Sequence, residues 1–157
     1  MPSTNRKPGA INALIVLHRA LLMGLIVFAA VAFFVVYSLS FGKGLQTPER
    51  TLQVLALVLA AIGFYGVNYL FKKKLMAIRQ SDAGVRERFF MYQSACIVQW
   101  ILIEAPSVFV IICFLLSGNY AFLGLAAMLV LILAMLAPSR IKLVQHLQLS
   151  DKDLEEL

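Results

Sequence analysis

Residues 94–118 read SACIVQWILIEAPSVFVIICFLLSG, and this stretch decides the fold. It is a long apolar run with one carboxylate, Glu104, near its middle and Pro106 two residues later. About 20 helical residues cross the hydrocarbon core of a bilayer, so the run reads as a membrane span. Lipid offers no hydrogen bonds to the backbone, so the span must be a complete helix.

The whole chain has the same character. It has 157 residues, of which 61% are hydrophobic and only 14% charged. A soluble domain carries about a quarter charged residues. Three more apolar runs are set apart by charged segments or, before the last, by the short polar turn Ser117–Tyr120, which predicts spans over residues 14–41, 52–71, 94–118 and 121–137. The expected fold is an all-α membrane protein, with four transmembrane helices in two hairpins forming one bundle over residues 14–137. Residues 1–13 form a polar tail, 72–88 a basic loop and 139–157 an amphipathic tail. The apolar run after the first tail is too long for the h-region of a secretory signal.

Charge placement sets the expected orientation. Of the 14 Lys and Arg, all but Lys43 and Arg50 fall on one side if the chain threads the membrane four times. The positive-inside rule then predicts both termini in the cytoplasm, in a cytoplasmic (inner) membrane. The net charge of +6 is explained by topology, so nucleic acid is not an expected partner. Each half repeats a span, a turn, a returning span and a basic extension, ending in Gln80-Ser81-Asp82 and Leu149-Ser150-Asp151. Two hairpins of one orientation would form a parallel repeat.

Local signals punctuate the runs. Thr47-Pro48-Glu49 reads as a helix start, with a cap, a proline at the first position and an acid at the N-terminal dipole. Lys72-Lys73-Lys74 closes the second span, and Leu75, Met76 and Ile78 predict that its helix continues to Ser81-Asp82-Ala83-Gly84. Ser117-Gly118-Asn119-Tyr120 reads as a tight turn, and Pro138 ends the fourth span. In the tail, Ile141, Val144 and Leu147 share a helical face. Asp151 to Leu157 reads as a last short helix. His18, beside Arg19 near the start of the first span, reads as an interfacial residue. Cys96 and Cys113 share one span about 25 Å apart, too far to pair.

Glu104 is the leading functional candidate, because an ionisable group at mid-bilayer is costly. At helical spacing it shares a face with Gln93, Ile97, Trp100, Ser107, Ile111 and Gly118. That stripe should face the bundle or a partner. Pro106 lacks an amide hydrogen, so it frees the carbonyl of Leu102 and sets up a kink. The other spans offer few groups to answer the acid: Tyr65 is the expected hydrogen-bond partner, with Asn68 nearer the cytoplasm. Gly63 and Gly66 allow close helix approach nearby.

The stretch Glu104-Ala105-Pro106-Ser107-Val108-Phe109 resembles the ion-binding helix of rotary ATPase proteolipid subunits, where a Glu-Ala pair precedes an aromatic. The resemblance covers one span and implies a carboxylate that takes up and releases a proton or cation. The sequence departs from that family in having only Gly24 in its first span, where the family's partner helix is densely glycine-rich, and in placing a proline in the site.

No nucleophile–His–acid set, metal-ligand cluster, phosphate loop or paired carboxylates are visible. The expected protein is therefore not an enzyme and needs no metal or other cofactor. It is expected to be a helix-packing subunit or homo-oligomer, with the bilayer and other membrane helices as partners. The alternative is a proton- or cation-coupled transport component using Glu104.

Overall fold

The computed structural model describes residues 10–39 and 49–147. Within them the chain is all-helical: α1 (Ala10–Leu39), α2 (Glu49–Arg79), α3 (Val85–Ser117), α4 (Tyr120–Met135) and α5 (Arg140–Leu147). The polar N-terminal residues 1–9, residues 40–48 between α1 and α2, and the short helix expected over 151–157 lie outside the described residues.

α3 is the hub. It packs on α2, α4 and α1 along one broad buried face that includes Phe89, Trp100, Ile103, Val110 and Phe114. The other helices bury one stripe each. α1 turns Leu14, His18, Leu25, Ala32 and Val36 inward, at the three- and four-residue steps of one helical face. α2 buries Ala56, Ala60, Gly63 and Val67. This face is built of small residues, and in lipid such faces let backbones approach and gain dispersion contact. Much of the remaining surface is apolar: Phe34, Tyr37, Leu57, Ile62 and Leu131 are all exposed.

Three helices, α1 to α3, are long and apolar enough to cross a membrane. α4 is apolar but has only 16 residues, about 24 Å of helix against a hydrocarbon core of about 30 Å. α2 has 31 residues and α3 has 33, so both overhang the core by about 15–20 Å. Most of the segment expected as a basic loop is therefore helix. Only residues 80–84 connect α2 to α3, because the Lys72–Lys74 cluster alters the solvent a helix meets and leaves its backbone pairing intact.

The α3–α4 corner is the tight turn the sequence suggests. Gly118 takes the left-handed conformation, φ 67°, and its amide donates to the carbonyl of Phe114 at 2.8 Å. This is the usual glycine helix stop. The Asn119 side chain then caps α4 by accepting from the amide of Ala121 at 2.9 Å.

The second corner follows Pro138. The hydroxyl of Ser139 accepts from the amide of Lys142 at 3.2 Å, so Ser139 caps α5. α5 docks through Leu143 and Leu147, both buried, while Ile141 is 71% exposed. The expected face of Ile141, Val144 and Leu147 is thus rotated. Docking follows the i, i+4 pair beneath the bundle, and Ile141 faces outward.

Candidate functional site

Pro106 of α3 and Gly63 of α2 meet in a close helix contact. Pro106 has no amide hydrogen, so the Leu102 carbonyl one turn back has no helical donor. An unpaired carbonyl at this depth is costly. Gly63 of α2 comes directly against it: a Cβ on Gly63 would lie 2.6 Å from the Leu102 oxygen and 3.2 Å from Cγ of Pro106. The α-hydrogen in that position therefore points at the orphan oxygen. Such Cα–H···O contacts contribute about 0.5–1 kcal/mol. Pro106 and the glycine face are one feature.

Glu104 is partly exposed at the edge of the buried face of α3. Its expected companions are engaged elsewhere. Ser107 is fully buried and its hydroxyl donates to the Ile103 carbonyl at 2.7 Å, a bond within its own helix. Trp100, also fully buried, aims its indole N–H at the Leu136 carbonyl at 3.4 Å. Gln93 is partly buried on the same helix. Tyr65 is 74% exposed and packs on Phe64, and Asn68 donates to the Phe64 carbonyl at 3.2 Å. The structure therefore does not join Tyr65 or Asn68 to Glu104. Among the described residues no hydrogen bond reaches the Glu104 carboxylate. The helical rotation that buries Gly63 and Val67 against α3 carries Tyr65 to the opposite side of α2.

A second polar cluster gathers at the end of α4. His18 is buried rather than interfacial, at 2% exposure. Its Nε2 lies 3.0 Å from the Leu133 carbonyl, and its ring meets the Trp100 ring edge-on with centroids 4.9 Å apart. The Lys142 ammonium donates to the carbonyls of Met135 at 3.1 Å and Ala137 at 3.0 Å. Three helices thus supply donors to the last carbonyls of α4, which Pro138 leaves short of backbone partners. α5 ends in the same way. Arg79 donates to the carbonyls of His146 (2.9 Å) and Gln145 (3.3 Å), and Arg88 to that of Leu147 (3.0 Å). Cations here answer helix C-termini, where the dipole favours them.

His146 lies within this corner. Its Nδ1 is 3.4 Å from the Tyr92 hydroxyl and its ring packs edge-on against Phe71 at 5.4 Å. Burial first, then the charges of Arg79 and Lys142, hold its pKa below the ordinary value. The docked form is therefore the neutral imidazole. Its contribution to docking is complete above about pH 6.5, the free-histidine value, and falls as pH drops toward the lower docked value. Protection of the α5 amides from hydrogen exchange should thus weaken between pH 7.5 and pH 5, and His146→Gln should flatten that dependence. An unchanged profile in the variant would assign the effect to another group.

Sequence reasoning singled out neither His18 as a core residue nor Lys142, Tyr92 and His146 as neighbours. The available signal was Pro138-Ser139, a helix stop followed at once by a capping residue. Comparison with protein-family models, characterised proteins and solved structures gives no match to this chain.

Proposed function

We propose that this protein is a packing subunit of a membrane assembly, presenting Glu104 to a neighbouring chain. In this reading α4 completes a four-span bundle in a cytoplasmic membrane, with both termini inside. The partner is a second copy or another membrane subunit. The observation that carries the reading is the placement of Glu104. It lies about 20 Å along α3 from Ser117, near mid-bilayer, at the edge of the bundle and without a hydrogen bond from the described residues. A carboxyl facing lipid is costly at this depth. Covering it with a neighbouring helix that hydrogen-bonds it removes the cost and fixes register.

The runner-up rests on the same exposed carboxyl, used as a proton or cation carrier as in the proteolipid-like reading of Glu104-Ala105. Two measurements on one set of variants separate them. Light scattering of the purified protein should give an oligomer, or a complex with a co-purified chain. Glu104→Gln, which still hydrogen-bonds, should preserve it, and Glu104→Leu should dissociate it. A monomeric wild type, or equal assembly in both variants, overturns the packing role. Loss of proton flux into liposomes in Glu104→Gln, with assembly intact, assigns the carrier role instead.

A further inference from the structure

Two cavities lie in line along the seam between α2 and α4. The inner one, about 370 Å³, is apolar, with Leu57, Ala60 and Phe64 facing Leu125, Leu129 and Ile132. The outer one, about 400 Å³, sits at the α4–α5 corner between Phe71 and Leu136, and its polar end is formed by Lys142, His146, Tyr92 and Gln99. Phe64 and Phe71 are one heptad apart on α2, and Met128 and Met135 one heptad apart on α4. Residues so spaced lie on one face, so the same faces of α2 and α4 contribute to both cavities, the outer one being walled also by Tyr92, Cys96 and Gln99 of α3.

The charge of the outer cavity is one-sided. None of its lining residues is acidic. The α4 carbonyls that would repel an anion already accept from His18, Trp100 and Lys142. Lys142 has three N–H donors and spends two on those carbonyls, which leaves one for a ligand. From Leu57 to Phe71 the seam runs about 21 Å, longer than the roughly 15 Å half-thickness of a hydrocarbon core. We infer that the seam binds an anionic lipid: one acyl chain lies in the apolar cleft between α2 and α4, and the phosphate headgroup meets Lys142 at the α4–α5 corner.

The chain carries a single tryptophan, Trp100, whose indole touches Leu136 in the wall of the outer cavity. Its fluorescence reports occupancy. The full-length protein in a neutral detergent is titrated with phosphatidic acid, or with phosphatidylcholine, each bearing brominated acyl chains that quench tryptophan. Phosphatidic acid should quench saturably with an apparent affinity about tenfold above that of phosphatidylcholine, or about 1.4 kcal/mol. Lys142→Met should bring the two lipids together. Ala61→Phe, at an exposed position lining the cleft, should weaken both. Circular dichroism establishes that each variant keeps its helices, and Lys142→Gln serves if Lys142→Met does not. Equal quenching by the two lipids in wild type overturns the proposal. So does full displacement of brominated phosphatidic acid by inorganic phosphate with no effect of Ala61→Phe, which marks a free-anion site.

Discussion

Gly63→Ala is expected to destabilise the protein by about 2 kcal/mol, within the usual range for overpacking a tight contact. The added methyl would stand 2.6 Å from the Leu102 carbonyl oxygen, a backbone atom that cannot rotate aside. α2 and α3 must separate, and the orphan carbonyl then loses its contact with Gly63. Gly66→Ala, three residues on, is the internal control, because its methyl would meet only Cδ1 of Leu102 at 4.0 Å. Alanine is the better helix former by about 1 kcal/mol, so Gly66→Ala should be neutral or slightly stabilising. Unfolding in sodium dodecyl sulfate, followed by circular dichroism, measures both. Equal midpoints for the two variants would remove the special role given to Gly63. Pro106→Ala restores the amide that Leu102 lacks, so Gly63→Ala should cost less in that background.

Trp100→Ala should cost more, about 3–5 kcal/mol. The side chain is fully buried at the junction of α1, α3 and α4. Removing it empties the space between the His18 ring and the end of α4. It also takes the donor from the Leu136 carbonyl, and lipid cannot replace that bond. Trp100→Phe keeps most of the volume and loses the N–H, so the difference between the two variants separates cavity from hydrogen bond. The same unfolding assay checks the order: Trp100→Ala should unfold first, Trp100→Phe next and wild type last. If Trp100→Phe matches Trp100→Ala, the hydrogen bond outweighs packing.

The all-helical character was readable because long apolar runs leave a chain few options. Uninterrupted apolar runs, Gly118-Asn119 and Pro138 marked where helices stop. The overhang of α2 and α3 was half readable, since Leu75, Met76 and Ile78 continued the helical pattern past the lysines. Rotation about each helix axis was not readable. In a chain that is apolar on nearly every face, periodicity does not say which face meets protein. Tyr65 therefore looked available to Glu104, whereas the burial of Gly63 and Val67 sends it outward. His18 was misread for a related reason. A histidine near the start of a span suits the interface unless another helix ends beside it, and here α4 ends at that depth. The Pro106–Gly63 contact was present as two separate hints, a freed carbonyl and a small-residue face, that only the packing joins.

The capping of α5 by Arg79 and Arg88 also orders the protein's biogenesis. The bonds connect residues 66, 67 and 59 positions apart in the chain, and α5 has only eight residues, too few for a stable helix alone. Domains fold as the chain leaves the ribosome, N-terminal parts first. The α2–α3 hairpin must therefore be standing, with its arginines in place, before α5 has anything to fold against. Closure of the α5 corner then follows formation of the hairpin, and a chain whose hairpin is misplaced would leave α5 without a surface to fold on, open to a protease.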